Sequence, residues 1–165
     1  MLAVFLASAN AATLTIRPNG VGAYSEWGKT GCILGWQCVD ETPADTSDYV
    51  SKGSGLGREL FNFQDTGLAN GTSINSVTLY YYGKYYKPAY FRVLPMLVMG
   101  LSNYTGTPIS LTSTWAYYNR VFYSNPITGM NWTVAEVNAL NAGMATVLAS
   151  DGGFIAQVYA VVNYN

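Results

Sequence analysis

Asp40, Glu41, Asp45 and Asp48 form the one acidic cluster in a chain of 165 residues that has no histidine. Three chemistries fit that cluster. Paired carboxylates hydrolyse glycosides when they flank a cleft at the right separation. Carboxylate and loop carbonyl oxygens hold Ca²⁺, which takes six to eight such ligands. The plainest reading makes Asp45 and Asp48 turn formers and lets Asp40 and Glu41 accept from loop amides. That third reading is the expected one. Without histidine, serine or cysteine nucleophiles lose their commonest base and zinc its commonest neutral ligand, so no catalytic residue, metal or cofactor is expected.

Cys32 and Cys38 sit in GCILGWQCVDE with Gly35 midway between them. Extended flanks folded over Gly35 bring the two side chains across a hairpin, within the short Cα separation of a disulfide. Such a bridge persists in an oxidising compartment; two buried free thiols are the alternative. Three N-x-[ST] sequons, at Asn70, Asn103 and Asn131, lie beside Gly or Pro, where surface loops are expected. An Asn- and Thr-rich composition also produces such tripeptides by chance. Together the cysteines and sequons point to a secreted, extracellular or cell-surface protein.

Only 10% of residues are charged, while Tyr numbers 14 and Gly 17. A surface with so few charges is built from Tyr, Thr, Ser, Asn and backbone. The net charge of −1 and the lack of a Lys/Arg stripe set nucleic acid aside as a partner. Turn signals recur at PNG (18–20), GSGLG (53–57), NGT (70–72), KPA (87–89), TGTP (105–108), SNPITG (124–129) and DGG (151–153). Between them lie SVTLYYYGKYY, YFRVLPMLVMG, AYYNRVFY and FIAQVYAVVNY, short runs rich in β-branched and aromatic residues. This pattern predicts an all-β protein, a single antiparallel β-sandwich spanning 13–165 with Thr13–Ile16 as its first strand. One short helix is predicted over 134–142, where Thr133 and Glu136 can form a capping box. Tyr80, Tyr81, Tyr82, Tyr85, Tyr86 and Tyr90 surround a predicted hairpin, with Tyr80 and Tyr82 on one face and Tyr81 on the other. Exposed tyrosines could stack on sugar rings or pack against neighbouring subunits. For Trp27, Trp36, Trp115 and Trp132 a place in the core is expected ahead of a ligand platform.

RPNGVGAYSEW (17–27), VDETPADTSDYV (39–50), FNFQDTG (61–67), SNPITGMNWTVAEVNALNAG (124–143) and QVYAVV (157–162) follow one another in an order that resembles a known module. It is a small jelly-roll-like β-sandwich found in phage virion proteins and in microbial and archaeal extracellular surface proteins. Its pattern runs RPN-x-x-G, VDE, then NP-x-TG-x-x-WT-x-x-EVNAL. The resemblance implies a jelly-roll-like sandwich used for surface display or assembly, with no chemistry attached. Two features depart from it: the cysteine segment 32–38 and the apolar segment 1–12.

That segment, MLAVFLASANAA, reads like the back half of a secretory signal peptide, with small residues at Ala7, Ala9 and Ala11. No basic residue precedes it, and it is too short to span a membrane. As a strand it puts Leu2, Val4 and Leu6 on one side and Ala3, Phe5 and Ala7 on the other, so it wants burial on both faces. Donated to a neighbour by β-strand addition, Leu2, Val4, Phe5 and Leu6 would link copies head-to-tail. An edge strand within its own domain is the plainer alternative. The sequence therefore suggests a structural subunit of an extracellular, pilus-like filament whose partners are copies of itself. A carbohydrate-binding or adhesive module, with surface glycans as partners, is the competing expectation.

Overall fold

A computed structural model describes residues 11–86, 91–148 and 152–165. The alternating runs become strands β1 (Ala12–Ile16), β2 (Pro18–Ser25), β3 (Gly28–Thr30), β4 (Tyr49–Lys52), β5 (Arg58–Phe63), β6 (Ile74–Tyr85), β7 (Arg92–Met99), β8 (Ser102–Thr105), β9 (Ile109–Ser110) and β10 (Ala116–Phe122). Helix α1 (Val134–Asn138), β11 (Asn141–Thr146) and β12 (Gly153–Tyr164) complete the order. Two antiparallel six-stranded sheets pack as a sandwich. In the first, β10, β6 and β12 lie side by side, and the far edge of β12 takes β1 along one half and β4, followed by β3, along the other. The second runs β2-β5-β11-β7, with β8 and β9 sharing the outer edge of β7. Consecutive strands β5, β6 and β7 alternate between the sheets, as do β10, β11 and β12, which is jelly-roll connectivity.

Alternation supplies the core. Phe61 and Phe63 from β5, Leu79 and Tyr81 from β6, Val93 and Leu97 from β7, and Val158, Ala160 and Val162 from β12 all point inward and are buried. Tyr81 is fully buried, and its hydroxyl donates to the Gly143 carbonyl of the opposite sheet at 2.8 Å. β6 and β7 belong to different sheets, so the tyrosine-rich run is not one arm of a hairpin with the segment that follows it.

The block SNPITGMNWTVAE is a single hydrogen-bonded knot. Asn125 is fully buried; its Oδ1 accepts from Ile127 N at 2.9 Å and its Nδ2 donates to Glu136 Oε1 at 3.0 Å. Its backbone N–H donates to Met130 O, and its carbonyl accepts from Gly129, whose φ of 72° suits glycine. Trp132 Nε1 donates to Phe122 O at 3.0 Å, which ties the loop to the end of β10. Thr133 and Glu136 form the expected capping box of α1. The helix ends at Asn138, four residues short of the predicted limit of 142. Residues 141–146 instead form the strand between β5 and β7, where a Cβ on Gly143 would stand 2.1 Å from Glu59 O. Glycine is required there by close strand packing.

Candidate functional site

The outward residues of the first sheet form a connected aromatic tract. Tyr80 stacks on Tyr159 with centroids 4.7 Å apart and planes 5° from parallel. Tyr82 packs on Tyr117 at 4.6 Å and on Trp115 at 5.5 Å, while Phe154 meets Tyr49 at 4.8 Å and Tyr86 at 5.0 Å. Trp115 to Phe154 and Tyr117 to Tyr159, each at 6.4 Å, join these groups. The Lys84 ammonium sits 4.9 Å from the Trp115 ring centre and the Arg17 guanidinium 5.3 Å from that of Tyr159. Burial pushes the Tyr159 phenol above its ordinary value. Phe154 and Tyr159 are an odd number of residues apart yet share a face, because a register shift between Ile155 and Gln157 resets the alternation. Stacking covers one face each of Tyr80, Tyr159, Tyr82 and Trp115, while Tyr117 and Tyr86 remain exposed.

The outer face of the second sheet differs. Leu60, Met96 and Ala145 form a small apolar cluster outside the main core, with half-buried Leu94 and Val98 and the ring of Tyr24 against it. One border is Arg58, whose guanidinium lies 3.6 Å from the Tyr24 ring centre and pairs with Glu26 at 2.7 Å. That contact raises the Arg58 pKa and lowers that of Glu26. Another border is the Asn141–Asn62 pair at 2.8 Å. Over the strip open a groove of about 530 Å³, lined by Leu56, Leu94, Met96 and Ala145 among others, and one of about 380 Å³ that includes Ala23, Val98 and Met99.

These features have a direction. Ala12 pairs with Tyr164, Asn165 N donates to Ser73 O, and Thr66 binds Asn138 of α1, so the start of β1, the end of β12 and α1 share one end of the sandwich. Leu56, Gly57 and Thr146, which line the larger groove, belong to the opposite end, beside the start of β12, whereas the smaller groove, with Ala139 and Asn141, lies at the α1 end.

The acidic loop has a structural task. Between the stretches where β4 and β1 pair with β12, the far edge of β12 is met by residues 39–41: Val158 N donates to Val39 O at 2.9 Å, and Gln157 Nε2 donates to Glu41 O. Arg17 Nη1 holds the carbonyls of Asp40 and Glu41 at 3.4 and 3.1 Å. Asp45 Oδ1 accepts from Ser47 N at 2.8 Å in a local turn, which lowers its pKa. Burial, with Asp48 and Asp40 nearby, pushes Glu41 up to about 7, and burial also raises Asp48. Among the described residues, no group of three or more His, Cys, Asp or Glu is placed to hold a metal ion.

Cys32 and Cys38 lie at disulfide distance, Cα atoms 5.5 Å apart. They are not opposed across the expected hairpin, since Gly35–Cys38 is a 3₁₀ turn that closes the loop. All three sequon asparagines are exposed: Asn70 in a turn before Gly71, Asn103 on β8 beside the larger groove, and Asn131 just ahead of α1. Trp27 and Trp132 are core residues, whereas Trp36 is partly buried and Trp115 belongs to the aromatic tract. Leu2, Val4, Phe5 and Leu6 lie outside the described residues.

Sequence reasoning passed over Glu59, which is 1% exposed. Its carboxylate accepts from Trp27 N at 2.9 Å and Ser25 Oγ at 3.0 Å, with Lys29 Nζ at 3.7 Å, while burial raises its pKa. The signal was present in RELFNF, where Glu59 shares the parity of Phe61 and Phe63. No family model matches the chain, and neither curated proteins nor solved structures yield a match. Among the described residues no helix is long and apolar enough to cross a membrane.

Proposed function

We propose that this chain is a structural subunit that joins copies of itself head-to-tail into an extracellular filament, with residues 1–10 of one copy laid on the apolar strip of the next. The observation that carries this reading is directional. Residues 1–10 lead into β1 at the α1 end, whereas the larger groove of the second sheet reaches toward the opposite end. Donor segment and acceptor strip are different surfaces, so the contact is heterologous and propagates unless it closes into a ring. Ten residues in extended form reach roughly 33 Å, enough to run along a neighbour's strip. Burying Leu2, Val4 and Leu6 contributes about 4.5–9 kcal/mol gross, at roughly 1.5–3 kcal/mol per side chain, before the costs of association. The cysteine pair and exposed sequons are compatible with an extracellular setting.

A carbohydrate-binding or adhesive module draws on the aromatic tract. Sugar stacking needs an open ring face, and here one face of Tyr159 is taken by Tyr80 and one of Trp115 by Tyr82, which reduces the platform open to a ligand. Assembly is therefore the better supported reading. Deleting residues 1–11 removes nothing from β1 and should leave a folded protein that forms no filaments by negative-stain electron microscopy. A peptide of residues 1–11 should cap growth of the full chain. Filaments of normal length from the truncated protein would refute the linkage and return the carbohydrate-binding reading to the front.

A further inference from the structure

We infer that the free edge of β10 pairs with the same edge of a second copy, in an antiparallel contact centred on Asn119. β6 occupies one side of β10 from Ala116 to Phe122, and no described strand occupies the other. Most other outer strands are poor templates: β1 has five residues, β3 three, β8 four and β9 two, while β2 pairs through two register shifts. β10 is seven residues long, in unbroken register, with neither proline nor lysine. Natural edges are usually blunted by such residues, by bulges or by brevity.

The occupant follows from the sequence of the edge itself. With a two-fold axis at Asn119, Tyr117 stands opposite Val121 of the second copy, an aromatic against a β-branched residue. One step outward along the same alternation, Trp115 stands opposite Tyr123. Tyr117, Val121 and Tyr123 are 54%, 38% and 77% exposed in the isolated chain, and each gains an apolar or aromatic neighbour. On the other face, which is turned to the core, Tyr118 stands opposite Arg120 and Ala116 opposite Phe122, with the Arg120 guanidinium held by Thr107 and the Tyr118 hydroxyl by Thr112 of their own chain. Arg120 is the one charge in the strand, and this register keeps it from facing its own copy. Centring on Arg120 would oppose like charges, and centring on Tyr118 would leave Tyr123 without an apolar partner. The contact is isologous and closes at two copies, joining two six-stranded sheets and their aromatic faces into one. It does not involve residues 1–10.

Asn119 is exposed, so substitution there spares the core. Asn119→Lys places two ammonium groups beside each other across the axis and should abolish the dimer in sedimentation velocity at concentrations where the native chain dimerises. Asn119→Glu should do the same, and an equimolar mixture of the two variants should restore dimers as the mixed species. Because filament growth could mask a dimer, register is read separately by cross-linking, Cys32 and Cys38 being at disulfide distance from each other. With a short bismaleimide, Asn119→Cys should link to itself and Val121→Cys alone should not, whereas Val121→Cys mixed with Tyr117→Cys should. Dimers persisting in Asn119→Lys, or self-linking at 121 to the same extent as at 119, would overturn the proposal.

Discussion

Replacing Glu136 with alanine tests the knot at SNPITGMNWTVAE more sharply than any core truncation. Glu136 Oε2 accepts from Thr133 N at 2.8 Å and from Thr133 Oγ1 at 3.0 Å, and Oε1 accepts from Asn125 Nδ2 at 3.0 Å. Asn125 is fully buried, so the substitution strands an amide donor with only the Met99 sulfur, a weak acceptor, within reach. An unsatisfied buried donor costs about 1–3 kcal/mol. Loss of half the capping box adds roughly 0.5–1 kcal/mol, at the low end of cap substitutions. The sum is about 1.5–4 kcal/mol, or a fall in Tm of roughly 3–16 °C for a domain of this size. Glu136→Gln has a single oxygen: turned to Asn125 it still satisfies the buried amide, while its NH2 faces Thr133 and the exposed Thr133 amide turns to water, so it should cost about 0.5–1 kcal/mol, the cap share alone. Urea unfolding followed by tryptophan fluorescence reads both variants. Alanine and glutamine variants of equal stability would refute the claim that the motif is held by this carboxylate.

Glu41 makes stability pH-dependent. Its folded pKa is raised from 4.5 to about 7, so its protonated form is favoured on folding; that contribution is complete below pH 4.5 and lost as pH rises through 7. The shift corresponds to about 3 kcal/mol at 1.36 per unit. Discounted for partial solvation it leaves roughly 1–2 kcal/mol, which Glu41→Gln should largely remove from the urea profile; parallel profiles for the two proteins would disprove it. Intact-mass measurement with and without reductant should show the native chain lighter by one pair of hydrogens, and labelling of both thiols without reduction would exclude the Cys32–Cys38 bond. Glycopeptide mass spectrometry of native material should find glycan on Asn70 before the other two sequons. Thr133 of the Asn131 sequon is engaged in the capping box, and Asn103 lines the groove assigned to assembly. A bare Asn70 beside an occupied Asn103 would count against both statements.

Strand identity was legible because β6, β7, β10 and β12 carry dense β-branched and aromatic residues between strong turn signals. The parity of Tyr80, Tyr81 and Tyr82 likewise gave the right faces, since β6 pairs with β10 in unbroken register. Parity failed where registers shift. Phe154 and Tyr159 meet the same face only through the irregularity in β12, which no local pattern announces. The helix was overextended because Leu140 and Ala145 keep helical spacing with Val137, while the need for Gly143 to lie against Glu59 is a tertiary fact. The pattern of the acidic loop predicts turn formers at Asp45 and Asp48 and carboxylate acceptors for loop amides at Asp40 and Glu41, whereas it is the backbone carbonyls of Asp40 and Glu41 that accept, from Arg17 and Gln157. Asp45 behaves as a turn former, but the role of residues 39–41 at the edge of β12 depends on where β1 and β4 stop, a property of the whole sheet.

The two proposed contacts differ in symmetry, and their combination has a geometric consequence. An antiparallel pairing of β10 with itself has its two-fold axis normal to the first sheet, so the aromatic faces stay on one side while the strand directions reverse. The α1 end of one copy then lies beside the groove end of the other. If head-to-tail growth follows the long axis of the sandwich, each sideways contact joins chains of subunits that point in opposite directions. Such pairs have no overall polarity, although each strand of the pair does. Separate lesions should therefore separate the two levels. Asn119→Lys should give single filaments of ordinary length, and deletion of residues 1–11 should give isolated dimers. Paired filaments that run parallel, judged from their end structure, would contradict the β10 contact while leaving the head-to-tail linkage standing.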